Sequence, residues 1–166
     1  TDERRHVKWG SLQRMLPRFY GVNAPLYFRN SSAGFFDQFA DVEPCITEVF
    51  DAVMNTRGMI YQVNTVGGKI SDPELEDTSA YAHRPFNFVS ELQGYSEKQA
   101  QHDTIEVSTE RILKLVAENG INDHYVNYPS LGFRSWEASY WGDRYARLQA
   151  IKSTYDDVFL AAGGPP

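Results

Sequence analysis

The chain has 166 residues, of which 42% are hydrophobic, 14% aromatic and 23% charged, and its formal net charge is −6. This length and composition are typical of one soluble globular domain with a real core, and no apolar run is long enough to span a bilayer. The negative charge argues against nucleic acid as a partner, because phosphate binding requires clustered Lys and Arg.

Neither the first residues nor the cysteine content shows how the chain is produced or in which cellular compartment the protein lies. The sequence begins Thr1-Asp2-Glu3 without Met, so we expect a processed chain or a part of a longer one. The single cysteine, Cys45, cannot form a disulfide within the chain. Asn30-Ser31-Ser32 is an N-glycosylation sequon, which matters in a secreted protein and is otherwise a chance tripeptide.

The first half of the chain predicts a helix between two strands. Residues 1–22 predict helix or coil, and Ala24–Arg29 predicts a strand that Pro25 begins. Proline is favoured at the first position of a helix, so Pro44 predicts a helix start. Apolar residues then recur with helical spacing until Gly58 ends the helix. Met59–Val66 alternates in polarity and predicts a half-buried strand.

The second half predicts one more strand and two helices. Ser71–Thr78 is an acidic loop, and Arg84–Leu92 predicts a strand that places Phe88 and Glu91 on opposite faces, Glu91 on the polar one. Ser96 begins a capping box and therefore a helix, which Asn119-Gly120 ends. Its apolar stripe consists of Ile105, Ile112, Leu113 and Val116. The last helix covers about Asp143 to Tyr155. These elements predict an α+β fold, an antiparallel sheet covered by helices.

The segment Tyr125-Val126-Asn127-Tyr128 contains two phenols around one carboxamide, a grouping that can hold a planar cofactor and move a proton. We predict an extended segment that ends at Pro129. Because residues alternate in direction along an extended chain, Asn127 and Tyr128 can serve one site only if the backbone turns there.

Several motifs in fixed order carry a family resemblance. They are Gly67-Gly68-Lys69-Ile70, Thr78-x-Ala80-Tyr81-x-His83-Arg84, the Tyr-x-Asn-Tyr element, Tyr140-Trp141-Gly142, Tyr145-x-Arg147-Leu148-Gln149-x-x-Lys152, and Tyr155-Asp156. Together they resemble the berberine bridge enzyme-like FAD-linked oxidases over most of Tyr27–Phe159. The chain departs from the family pattern at Pro129-Ser130, where the family usually has an Asp, and in the tail after Asp156.

The resemblance implies an organisation and a function. Residues 1–121 would be part of the substrate-binding α+β domain, and residues 122–166 the C-terminal segment that docks toward an FAD domain. In that family the sheet roofs the flavin, and FAD is held mainly by an N-terminal domain for which this chain has no candidate. The implied partners are that FAD-binding domain or chain, a small-molecule substrate and O2 as electron acceptor. Relatives oxidise alcohols, sugars, alkaloids or polyketides by hydride transfer to flavin, and many are secreted.

The same resemblance suggests two catalytic residues. An unperturbed tyrosine, with a pKa of about 10, is a poor base at neutral pH, so Tyr128 needs a neighbour that tunes it. Glu91, seven residues after the His83-Arg84 pair, stands where the family has an acid or amide that faces the flavin. Tyr128 alone is more often a structural tyrosine, and Glu91 alone more often a solvated acid.

Binding residues follow from the same pattern. Asn127 and Tyr125 suit the pyrimidine edge of the flavin, while Tyr61, Phe88 and Arg84 suit substrate, although an arginine that ties a strand to a loop is the commoner role.

Other chemistries have less support in the sequence. The four histidines lack metal-ligand spacing, so we expect no metal site, and no Gly-x-Ser-x-Gly hydrolase elbow occurs. The alternative to an oxidoreductase is a flavin-free α+β binding or interaction module.

Overall fold

The computed structural model of the protein describes residues 27–160, with side chains through Asp156. The helix or coil predicted for residues 1–22 and the first three residues of the first predicted strand, residues 24–26, lie outside the described residues.

Within that range the sheet has three antiparallel strands in the order β1-β3-β2. They are β1 (Tyr27–Phe36), β2 (Met59–Thr65) and β3 (Phe88–Ser96). The central strand β3 pairs with β1 along its whole length and with β2 from Phe88 to Gly94. The predicted α+β class is confirmed.

Strand β1 is longer than the predicted Ala24–Arg29. The run directly after Arg29 is Asn30-Ser31-Ser32, and Asn and Ser are residues typical of turns. Ser31 and Ser32 are nevertheless fully buried, and the strand continues to Phe36 because β3 supplies antiparallel partners for the run.

Strand β3 begins and ends four residues later than predicted. Ser96 is the last residue of the strand, buried and paired with Tyr27, so the predicted helix start at Ser96 is wrong. Pairing with β1 continues through Ser96 and keeps it extended. The helix α2 (Gln99–Glu118) begins after Lys98.

Helix α1 (Phe39–Met54) begins five residues before Pro44, which lies inside it. The prediction that Pro44 is the first helical residue is wrong because Asp41 caps the helix: its carboxylate accepts hydrogen bonds from the backbone N–H groups of Asp37 and Gln38. These bonds, that to Gln38 first, lower the pKa of Asp41. The helix ends at Met54 with Asn55 as its C-cap, so Gly58 does not end it as predicted.

Both long helices pack on one face of the sheet. The core between them contains Val42, Cys45, Val49, Leu92, Ile105, Ile112 and Val116, each at most 4% exposed. Helix α2 lies so close to β3 that a Cβ atom on Gly94 would be 2.3 Å from Cγ2 of Ile105. The apolar stripe predicted for this helix is therefore confirmed.

The remaining described elements are short or little buried. The predicted acidic loop forms two 3-10 turns, Gly68–Ser71 and Pro73–Thr78. Helix α3 (Trp136–Trp141) leads through a 3-10 turn into α4 (Tyr145–Leu160), where Ile151 and Tyr155 are exposed. No helix within residues 27–160 is long and apolar enough to cross a membrane.

Candidate functional site

The two faces of the sheet have different neighbours. The helix face carries Leu92 and packs against α1 and α2. The opposite face, which we call the site face, carries Glu91 and Val89, whose antiparallel partners are Ser32 and Phe35 of β1. Successive side chains of β3 therefore point alternately toward the core and toward the site face.

The segment 121–130 is attached to the outer edge of β1. The backbone N–H groups of Ser32 and Phe35 donate to the carbonyl oxygens of Tyr128 (2.9 Å) and Asp123 (2.8 Å), and the N–H of Tyr125 donates to Oγ of Ser32 (3.0 Å). A register shift between Ser32 and Gly34 aims these donors outward. Gly34 has φ +109°, and a Cβ there would lie 2.2 Å from Cγ2 of Ile121, so only glycine fits.

The Tyr-x-Asn-Tyr element is a turn, so the predicted extended conformation is wrong. The N–H of Tyr128 donates to the carbonyl oxygen of Tyr125 at 2.9 Å, which closes the backbone into a β-turn. The two phenol rings meet edge to face with centroids 5.2 Å apart, and Nδ2 of Asn127 donates to the Tyr125 hydroxyl at 2.7 Å. The backbone therefore turns here, as it must if Asn127 and Tyr128 are to serve one site.

A cavity of about 470 Å³ lies beside this turn. Its walls are largely aromatic and aliphatic, with one amide and one guanidinium: Phe35, Asn64, Val66, Ile70, Tyr81, Arg84, Val89, Tyr125 and Tyr128. Sheet, turn and the 68–84 connection thus each contribute a wall.

Arg84 lines the cavity and also holds the connection that closes it. Its Nη1 donates to the carbonyl oxygen of Ile70 at 2.6 Å, and its Nη2 donates to Oγ of Ser79 at 2.8 Å. Its guanidinium carbon lies 5.5 Å from the centroid of the Tyr81 ring. Arg84 therefore ties two parts of the connection between β2 and β3 to each other rather than a strand to a loop. A contact with substrate stays a prediction.

Tyr81 is a cavity residue that the sequence reasoning did not single out. Its ring meets Phe35 edge to face with centroids 6.4 Å apart. Burial, and then the neighbouring phenol of Tyr125, raise the pKa of Tyr81, while the Arg84 guanidinium opposes the shift. Its place in the Ala80-Tyr81-x-His83-Arg84 motif was the available signal, but sequence spacing did not show that it faces Tyr125.

Glu91 lies on the site face as predicted but is only 3% exposed, so the expectation of a face open to water is wrong at this residue. Its Oε2 has no hydrogen-bond partner among the described residues. An unpaired buried carboxylate oxygen is costly, and such groups cluster at functional sites. Ser32, which holds Tyr125, is its cross-strand neighbour.

Two predicted substrate-binding residues, Tyr61 and Phe88, lie on the helix face. Tyr61 meets Phe50 of α1 edge to face at 6.0 Å, and burial raises its pKa. Phe88 stacks on Phe36 at 5.1 Å and packs against the core. Tyr125, Tyr128 and Arg84 line the cavity, Asn127 is bound to Tyr125, and Glu91 lies on the same face of the sheet. The structure separates Tyr61 and Phe88 from these residues.

The glycosylation sequon lies inside β1. Ser32 is fully buried, and Oδ1 of Asn30 is buried without a partner among the described residues. A glycan on Asn30 requires disruption of this packing, so the sequon adds no weight to secretion.

The described residues suit the flavin ring of FAD but not its pyrophosphate. Aromatic walls, the Asn127 amide and the unpartnered Glu91 oxygen suit a planar ring with a polar edge. A pyrophosphate needs a cradle of N–H groups at a helix start, whereas Gly67 precedes only a four-residue 3-10 turn. Within the described part of the chain, no group of three or more His, Cys, Asp or Glu could hold a metal ion.

Comparison with known proteins places this geometry in a family context. A family model described as "Berberine and berberine like" matches residues 124–159. An uncharacterized FAD-linked oxidoreductase, YvdP, of Bacillus subtilis (strain 168) is 28% identical over 127 residues, which span 76% of this chain and 28% of that protein.

A solved structure shares the fold. Physcomitrella patens BBE-like 1 variant D396N superposes with a TM-score of 0.67 at 18% identity, over 81% of this chain and 29% of that chain. The chain therefore spans less than a third of each of these two relatives.

The sheet, the turn and the family match define one class: an α+β domain that ends in a berberine-type segment. The resemblance to the berberine bridge enzyme-like FAD-linked oxidases is confirmed by the family model and by the Bacillus relative, and the solved structure confirms the fold.

Proposed function

We propose that this chain is the substrate-domain and C-terminal portion of an FAD-dependent oxidoreductase that oxidises an alcohol, a sugar or a secondary metabolite by hydride transfer to flavin. The observation that carries the proposal is the Tyr125–Tyr128 turn, which lies within the family match and folds against an aromatic cavity.

Different residues of this chain would contact the cofactor, remove a proton and hold the cavity wall. When bound, FAD supplies the hydride acceptor. Asn127 and Tyr125, joined by their hydrogen bond, present an amide and a phenol to the polar edge of the ring. Tyr128 removes the hydroxyl proton of the substrate, and Arg84 holds the wall formed by the 68–84 connection. This wall and the sheet limit the access of water.

Glu91 would orient substrate or move a proton, because its buried oxygen lacks a partner among the described residues. Most of FAD, its pyrophosphate above all, would be held by a partner domain or chain, since the described residues offer no phosphate cradle. O2 is the proposed electron acceptor.

The test uses the protein as its cells make it. Bound flavin is measured by absorbance and mass, and the protein is then mixed without oxygen with primary alcohols, aldoses and phenolic alcohols. We expect stoichiometric FAD, reduction of the flavin by one of these classes, and reoxidation on admission of O2. A native protein without flavin would contradict the proposal and favour the flavin-free binding module.

The 166-residue chain expressed alone is the matched comparison. Because it lacks a phosphate cradle among its described residues, we expect it not to retain FAD. Stoichiometric flavin on the isolated chain would show that the division of FAD binding between two parts is wrong.

A further inference from the structure

One histidine lies behind the aromatic wall of the cavity and touches both the sheet and the C-terminal segment. The His83 ring, 1% exposed, stacks on Phe35 with centroids 4.2 Å apart and meets Tyr81 edge to face at 5.6 Å. Its Nε2 lies 3.2 Å from the carbonyl oxygen of Tyr140 in α3. Its Nδ1 lies 3.7 Å from Oδ1 of Asp123.

The contact with Tyr140 determines the tautomer of His83. A carbonyl oxygen only accepts, so Nε2 must carry a proton to make this hydrogen bond. In neutral His83, Nδ1 is then a bare acceptor whose lone pair faces the Asp123 carboxylate. Two acceptors that face each other repel. Nδ1 has no partner within hydrogen-bond geometry among the described residues, and the backbone of His124 is a further neighbour that raises the pKa of His83. One added proton would convert this repulsion into a charge-assisted hydrogen bond.

We propose that His83 and Asp123 form a positioning pair that takes up one proton and thereby draws the segment carrying Tyr125 toward the aromatic wall of the cavity. The proton comes from water and lies between Nδ1 and Oδ1, so the charge of the pair changes from −1 to 0. The gap of 3.7 Å then closes to about 2.8 Å, the usual length of such a bond.

Hydrogen bonds and ring contacts connect the His83–Asp123 pair to the cavity. The carbonyl oxygen of Asp123 accepts the N–H of Phe35 at 2.8 Å, and two residues further on the N–H of Tyr125 is bound to Ser32. His83 itself is stacked on Phe35, which lines the cavity with Tyr81 and Tyr125. A shift of Asp123 relative to His83 therefore changes the spacing between the Tyr81 and Tyr125 rings.

Burial acts in opposite directions on the pKa values of the two groups. It lowers the pKa of His83, an effect that Asp123 opposes, and it raises the pKa of Asp123, which His83 opposes. The pKa of His83 is thus lowered and that of Asp123 is raised, so the two groups compete for one proton more evenly than free side chains do.

Other ionisable groups surround the pair. Facing His83 are the Tyr81 phenol and His124, whose own pKa burial lowers to about 4. Two grooves meet at Asp123. The charged residues that line one of them are Glu76, Asp77, Asp143, Arg144 and Arg147, and those that line the other are Glu110, Lys114 and Arg134. His83 is the charge partner that alters the pKa of Asp123.

The test is an NMR titration of the full 166-residue chain from pH 7.5 downward. The ring signals of His83, Tyr81 and Tyr125 are followed together, and we expect them to shift with one common midpoint below the ordinary histidine pKa of 6.5. If the tyrosine signals do not move with that of His83, the proposal is wrong. This readout requires no flavin, so its outcome is separate from that of the proposed function.

Asp123→Asn sharpens the test, because its amide donates to Nδ1 at every pH. We expect this variant to lose the midpoint and to show the low-pH tyrosine signals throughout. Asp143→Asn removes the same charge from the same groove without facing His83, and should keep the wild-type midpoint. An unchanged midpoint in Asp123→Asn overturns the proposal, and if that variant does not fold, the wild-type titration decides alone.

Discussion

Leu92 and Glu91 are neighbours in β3, both buried, and they belong to different parts of the molecule. Leu92 is fully buried in the core that the two long helices cover. Glu91 is 3% exposed on the site face, with one carboxylate oxygen that has no partner among the described residues. Burial of an apolar side chain stabilises the fold, whereas burial of an unpaired carboxylate oxygen costs stability. One face of the sheet therefore maintains the domain, and the other carries the proposed site.

The largest expected effect is on the helix face. Leu92→Ala should lower the free energy of unfolding by about 2–5 kcal/mol, because it leaves a cavity between β3 and the helices. Chemical denaturation of the isolated chain measures this loss. Leu131→Ala, at a fully exposed leucine, is the control and should change it by less than about 0.5 kcal/mol. Equal effects of the two substitutions would contradict the assignment of the core.

The C-terminal segment should show a pH-dependent stability through His124. This residue is 3% exposed and stacks on Phe133, and burial lowers its pKa from 6.5 to about 4. Protons then bind the unfolded chain more readily, so the stabilisation is complete above pH 6.5 and is lost as the pH falls toward 4. The loss should be about 3 kcal/mol.

His124→Phe keeps the stacking and removes the titration. The difference in unfolding free energy between pH 7 and pH 4 should therefore be smaller in this variant by about the same 3 kcal/mol. An identical pH dependence in the variant and the wild type would show that His124 is not buried in its neutral form.

On the site face the expected effects are on rate. In the flavin-loaded protein, Tyr128→Phe should slow flavin reduction about 10²-fold, because it removes the ionisable hydroxyl and keeps the ring. Stopped-flow reduction under anaerobic conditions measures the rate, and bound FAD should be unchanged.

Two matched tyrosines control this prediction. Tyr125→Phe removes the acceptor of the Asn127 hydrogen bond, which should cost about 1 kcal/mol of stability with a much smaller change in rate. Tyr61→Phe, on the helix face, should leave the rate unchanged. If Tyr125→Phe slows reduction more than Tyr128→Phe, the proposed base is wrong.

The sequence predicted the elements better than their register. Alternation and helical spacing indicated β2, α2 and the α+β class, because these patterns record burial directly. The limits of β1 and β3 depend on cross-strand pairing, which a single strand does not encode. Ser31 and Ser32 have the composition of a turn and are strand residues because β3 pairs with them.

The candidate site was partly predictable for the same reason. The motif containing Tyr125 and Tyr128 is local and was recognisable in the sequence. Tyr61 and Phe88 were assigned to substrate because they are aromatic, but the register places both against α1 and the core. Tyr81 and Phe35 enter the site through a fold that joins residues far apart in sequence.

The most direct test substitutes Glu91→Gln and measures turnover and the free energy of unfolding of the flavin-loaded protein. Gln has almost the same shape and removes the ionisable carboxylate. We expect turnover to fall by more than roughly tenfold with no loss in the free energy of unfolding, because Gln has no charge to bury at this position. Undiminished turnover, or a loss of stability as large as that of Leu92→Ala, would contradict the claim that Glu91 serves the site and not the fold.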